Sequence, residues 1–202
     1  LGLFGTTSRS ISVKDKSRKR KKEVVVDIDG SGDTDSLKEA ISLLDTKGGE
    51  IFIKEGIYEI NSVINLTKSN IVFTGQNKKT QINVNGANLL DFKTGVKGIV
   101  FKNIYFNKPQ IYHDVGNAFF KNTGQNENIL FKECFFNREQ GEEANDYNAI
   151  KFTKSITGFR AEECEFERGG IFIGSSTETM KDVFITKNRF INIQEQTGIS
   201  TS

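Results

Sequence analysis

An all-β solenoid, built by stacking short strands in successive coils, is the fold class this sequence predicts. The first reason is a repeat in the second half. The segment Ile99-Val100-Phe101-Lys102-Asn103-Ile104-Tyr105-Phe106 aligns with residues 129–136, 159–166 and 183–190, and its closing Phe falls at 106, 136, 166 and 190, spaced by 30, 30 and 24 residues. Each unit alternates apolar and polar positions, which places one set of side chains on one face of a strand. A single unit cannot bury that face, whereas stacked units form a continuous core with ladders of like residues. The second reason is composition: 17 Phe and 19 Gly against one Met, one Pro and no Trp suit short strands joined by tight turns.

The elements follow in order. Asp29-Gly30-Ser31-Gly32-Asp33 reads as a polar turn, and Ser36 with Glu39 as a capping box opening a short helix. Leu37, Ala40, Ile41 and Leu44 form that helix's apolar face. Gly48-Gly49 then turns the chain into the apolar strand Glu50-Ile51-Phe52-Ile53, which ends at Gly56-Ile57-Tyr58. Ile71-Val72-Phe73 is a weaker early member of the repeat. Second strands are expected between the repeats, at 89–92, 118–120, 149–152 and 171–173, each closed by a polar turn such as Thr94-Gly95, Thr123-Gly124 or Ser175-Ser176. The alignment puts Phe106, Phe136, Phe166 and Phe190 in one inner ladder, with Ile104, Cys134, Cys164 and Asn188 in the neighbouring column. The two cysteines then sit one rung apart, about 4.8 Å along the sheet, and are expected as buried reduced thiols. After Phe190 and Ile193 no capping helix follows, so the last coil is expected to present an open edge.

The order of polar turn, short amphipathic helix, double-glycine turn and strand ending at Gly-x-Tyr resembles the opening segment of pectate-lyase-like right-handed parallel β-helices. That resemblance spans residues 23 to about 193. It implies a right-handed parallel β-helix over residues 23–202, its N-terminal end covered by the helix.

Charge divides the chain. Residues 1–22 carry eight basic residues against Asp15, a net +7, so the rest of the chain is at −5 within an overall +2. Residues 1–22 read as a basic anchor or tether, with Leu3 and Phe4 as an apolar tip and Arg18, Lys19 and Arg20 in its basic run. Nucleic acid is not expected as a partner of the acidic body. No stretch approaches the roughly 18 apolar residues that span a bilayer, and no signal peptide is visible.

Two corner insertions, 107–117 and 137–148, lie one coil apart, so register places them on one edge of the solenoid. They would bring Tyr112, His113, Asp114, Glu139, Glu142, Glu143, Asp146 and Tyr147 to one groove, where rings stack on sugar faces and carboxylates bond hydroxyls. That makes a glycan-facing candidate site. The Asp27-to-Asp33 turn is not an EF-hand loop, because the twelfth position holds Lys38 instead of Glu.

Relatives of the resembled family cleave acidic polysaccharides, either as calcium-dependent lyases with an Arg or Lys base or as hydrolases with paired Asp. Asp146-Tyr147-Asn148-Ala149-Ile150 followed by Cys164-Glu165-Phe166 faintly resembles the hydrolase pattern, but Arg168-Gly169-Gly170-Ile171 stands where that pattern carries carboxylates. For a lyase, Glu142, Glu143 and Asp146 would hold Ca2+, with Arg160 or Arg168 as base. A complete active site is not visible, so no cofactor is assigned, and the enzyme reading stands as the alternative. The resemblance also implies a virion appendage, such as a phage tailspike, fibre or capsid spike: a homotrimer docked to particle proteins through residues 1–22 and binding a cell-surface glycan. A secreted or cell-surface location is the alternative.

Overall fold

The computed structural model describes residues 21–29, 31–86, 88–109, 118–138, 148–192 and, for the backbone alone, 199–201. The anchoring candidates Leu3, Phe4, Arg18, Lys19 and Arg20 lie outside the described residues. The chain winds as a right-handed parallel β-helix. One face of each coil enters a 6-stranded parallel sheet and the rest a 12-stranded one.

Alternation in the repeat becomes inward and outward side chains. Phe106 pairs in register with Phe136, Phe136 with Phe166, and Phe166 with Phe190. Their rings stack at 5.2, 4.6 and 5.0 Å. A second ladder, Phe73–Phe101–Phe131, stacks at 4.7 and 5.0 Å. Phe92, Phe120 and Phe152 from the smaller sheet fill the space between the two, with Phe120 4.9 Å from Phe101. Offset or edge-on ring pairs add roughly 0.5–1.5 kcal/mol each beyond the area they bury. Ile104, Cys134 and Cys164 form the expected neighbouring column and are buried. Both cysteines are free thiols, and burial pushes the Cys134 thiol up in pKa. The column ends at Asn188, which donates to Ala161 O at 2.7 Å and accepts from Cys164 N at 2.8 Å.

Every repeat unit is bent in its middle. Asn103, Glu133, Glu163 and Lys187 take left-handed φ values between 52° and 56°, one per coil at the same corner. Asn70, Gly98, Asn128, Gly158 and Asp182 do the same at a second corner. Single left-handed residues turn a parallel strand by a corner without breaking the rungs on either side. The small sheet pairs Leu90 with Phe120, Phe120 with Ile150 and Ile150 with Ile171. Its third strand is therefore Phe120–Asn122 and not 118–120, because Ala118 and Phe119 are buried in the approach to the strand. Residues 199–201 add a strand against Ile171–Ile173 and form the edge strand at that end of the small sheet.

The helix Leu37–Leu43 packs on strand Glu23–Val26 through Leu37, Ala40, Ile41 and Leu43, with Leu44 buried at its C-cap. Ser36 accepts from Glu39 N, as a capping box requires. The return arm differs from expectation: Ser36 N donates to Thr34 Oγ1, and the Thr34 hydroxyl donates to Glu39 at 2.6 Å. Lys68 closes the other end by donating to the carbonyls of Ile41, Ser42 and Leu44. Lys21 already belongs to the first coil, bridging to Leu44 and pairing with Asp33.

Asp27, buried beneath the opening turn, accepts from Ser31 at 2.6 Å and pairs with Lys54 at 2.6 Å. The Lys54 ammonium, then the Ser31 hydroxyl, hold its carboxyl well below the usual carboxylate range. A depressed folded-state pKa adds stability that is present above the unfolded value and is lost as pH falls. The melting temperature is therefore expected to decline below about pH 4, with a shallower decline in Asp27→Asn. Melts across that range check this, and equal slopes would show that Asp27 is not a carrier of the acid response.

Candidate functional site

The outward side chains of one face form two in-register columns running along the solenoid axis. Gln81, Tyr105, Phe135, Glu165 and Arg189 occupy one outward column, in register from strand to strand. Glu59, Asn83, Asn107, Asn137 and Glu167 occupy the next. Successive rungs lie about 4.8 Å apart, so the columns repeat on a scale comparable to one unit of an extended polysaccharide.

Amides tie the second column together. Asn107 Nδ2 donates to Asn83 Oδ1 at 3.0 Å, Asn137 Nδ2 to Asn107 Oδ1 at 3.0 Å, and Gln81 Nε2 to Asn83 Oδ1 at 2.7 Å. Asn83 Nδ2 passes the chain on to Glu59 at 2.6 Å. The ladder stops at Asn137, whose Oδ1 is buried without a donor. The next rung is Glu167, and a carboxylate has no proton to give.

The first column carries rings. Tyr105 and Phe135 stand side by side, half-buried. Beside them strand Ile71–Val84 loops out, where the pairing register shifts between Asn77 and Gln81. From it Lys78 reaches over two rungs, with Nζ 4.6 Å above the Phe135 ring and 3.4 Å from Glu165. Arg189 pairs with the same carboxylate at 3.5 Å, and Glu167 with Arg168 at 3.3 Å.

Both insertions leave the sheet at the end of these columns. Their stems are adjacent: Asn107 pairs with Asn137 and Lys108 with Arg138 before the insertions, and the strands Phe120–Asn122 and Asn148–Phe152 pair after them. Tyr112, His113, Asp114, Glu139, Glu142, Glu143, Asp146 and Tyr147 all lie outside the described residues. At the stems Lys108 and Arg138 turn inward and are buried, and Arg138 Nη1 donates to Asn148 O at 3.1 Å. Burial, and then the neighbouring Arg138 charge, bring the Lys108 ammonium down to about 8.

The two arginines offered as alternative bases lie at different places on the solenoid. Arg168 follows Glu167 of the second column, whereas Arg160 sits on strand Ile156–Glu162 beyond the Glu163 corner, 5.1 Å over the Phe184 ring. Among the described residues no group of three or more His, Cys, Asp or Glu is placed to hold a metal ion. No described helix is long and apolar enough to cross a membrane. The ring pair and amide ladder were missed from sequence, although the recurring aromatic-Phe-Asn at 105–107 and 135–137 was their signal.

No family model and no curated protein matches the chain. Its fold is that of pectin methylesterase. A solved pectin methylesterase from carrot superposes with a TM-score of 0.56 at 17% identity, over 88% of this chain and 63% of that one. A second pectin methylesterase, solved in complex with a hexasaccharide, matches with a TM-score of 0.45 at 13% identity, over 85% of this chain and 66% of the other. This chain therefore spans less than two thirds of the carrot protein. At these identities the likeness describes the β-helix and not the chemistry carried on it.

Proposed function

We propose that the chain is a polysaccharide-attachment module, holding an extended glycan along the groove floored by Tyr105, Phe135 and the Asn83–Asn107–Asn137 ladder. The carrying observation is the pair of adjacent outward rings beside a row of amides at one-rung spacing. Aromatic faces cover the apolar faces of sugar rings, and amides exchange hydrogen bonds with hydroxyls. The floor carboxylates support attachment over cleavage, because Glu165 and Glu167 are each held by cations. The carrot structure that shares the fold is by name a pectin methylesterase, which makes pectin the first polysaccharide to try. In this reading residues 1–22, with their concentrated positive charge, tether the module to an acidic surface such as a virion or other assembly.

The test is binding of the full chain to soluble pectin, polygalacturonate and neutral polysaccharides, with release of methanol, reducing ends and unsaturated products followed in parallel. Tyr105→Ala and Phe135→Ala are each expected to weaken binding about tenfold with little change in melting temperature, since both rings lie on the outer face. Unchanged affinity in the double variant would remove the groove from the account. Turnover by the wild-type chain would replace attachment with catalysis.

A further inference from the structure

A second concavity lies at a different corner of the solenoid, where the smaller sheet passes into strands Asn126–Lys132 and Ile156–Glu162. It has a volume of about 340 Å³, within the range of small-ligand sites. Four rungs build it: Thr94, Gly95 and Val96; Gln125, Asn126 and Glu127; Ser155 and Thr157; then Thr179 and Lys181. Thr157 pairs in register with Glu127 on one side and Lys181 on the other, so the carboxylate and the ammonium stand two rungs apart with a hydroxyl between them.

The frame is rigid. Asn126 N donates to Ser155 O at 3.0 Å and Ile156 N to Thr179 O at 3.0 Å, while the Ser155 hydroxyl is held by Glu178 at 2.6 Å. The functional groups inside that frame are not engaged. Among the described residues the side chains of Thr94, Gln125, Glu127, Thr157, Thr179 and Lys181 make no hydrogen bond or ion pair. Asn126 is 3% exposed and spends its Nδ2 on Lys93 O at 2.8 Å and Val96 O at 3.4 Å, yet its buried Oδ1 has no donor. A buried acceptor left unpaired costs roughly 1–3 kcal/mol, so the wall of the pocket is not fully satisfied within the frame.

We propose that this pocket is a second, separate sugar subsite that takes one neutral hexose unit, with Gln125, Glu127, Thr157 and Lys181 sharing its hydroxyls. Neutrality follows from the lining, whose single carboxylate and single ammonium cancel. Hydroxyls and an amide supply directional donors and acceptors, and no ring lines the pocket, so affinity rests on hydrogen bonds and falls in the millimolar range. The subsite does not depend on the ring-floored groove being a glycan site.

The test is a titration of the isotope-labelled full chain with free neutral hexoses and with hexuronates, followed by backbone amide shifts. Neutral hexoses are expected to move the amides of Gly95, Asn126 and Thr157 with millimolar saturation. Gln125→Ala with Lys181→Ala, both on exposed side chains, is expected to weaken this at least threefold. Tyr105→Ala with Phe135→Ala is expected to leave it unchanged, which separates the pocket from the groove. Tighter binding of hexuronates than of neutral hexoses would overturn the neutral-sugar assignment. Absence of shifts at these amides with any sugar would overturn the subsite.

Discussion

Phe101→Ala is expected to lower the unfolding free energy by about 4 kcal/mol, the upper part of the range for a buried ring reduced to a methyl. Phe101 is 1% exposed and stacks on Phe73 at 4.7 Å and Phe131 at 5.0 Å, one ring in each neighbouring coil. It also meets Phe120 at 4.9 Å, edge-on Phe106 at 6.1 Å and Phe92 at 6.5 Å across the core. Removing it therefore weakens two coil interfaces and the contact between the sheets. In a solenoid, stability is close to a sum of coil and interface terms, so the loss should fall in the middle of the stack. Phe190→Ala is the matched comparison: that ring is half-buried and stacks on Phe166, and about 1–2 kcal/mol is expected. Urea denaturation followed by circular dichroism measures both, and equal losses would refute the ladder as the element that couples coils.

Gly48→Ala should cost about 3 kcal/mol from two additive sources. Gly48 sits at φ +92°, and a β-carbon there would stand 2.1 Å from Asn70 O and 2.5 Å from Ser69 O. The obstacle is backbone that cannot swing away: Gly49 N donates to Asn70 O at 2.9 Å in the rung joining the first coil to the second. Gly95 isolates the conformational part. It has φ +83° with nothing within 4 Å of a β-carbon, so Gly95→Ala should cost only about 1 kcal/mol. Thermal melts of the two variants decide the matter. Matching shifts would mean that the close approach of the chain at Asn70 relaxes without penalty.

Legibility differed from place to place. The inner ladders could be read directly, because one strand face is a period-two pattern and the closing Phe repeats with the coil. The corners could not: Asn103 and Gly98 are ordinary left-handed residues, but Glu133, Glu163 and Lys187 adopt the same conformation without a local signal. Stacking onto Asn103 imposes the corner on them, which overrides intrinsic preference. The helix start was visible in Ser36 and Glu39, whereas its closure by Lys68 depends on a side chain one coil away. The insertions were placed on one edge by counting, and their stems do pair, but the residues proposed within them lie outside the described residues.

By itself the sequence determined a stacked β-solenoid, the composition of its core columns and the register of its later coils, and its resemblance to a known family implied the parallel β-helix. These properties follow from alternation and spacing, which are local along the chain and repeat every coil. Only the tertiary structure decided which outward residues meet. Tyr105 and Phe135, or Glu127, Thr157 and Lys181, come from coils 24 or 30 residues apart and become neighbours through parallel pairing. Outward positions carry no burial constraint that would mark them in sequence, so the groove and the pocket emerge when the rungs are stacked.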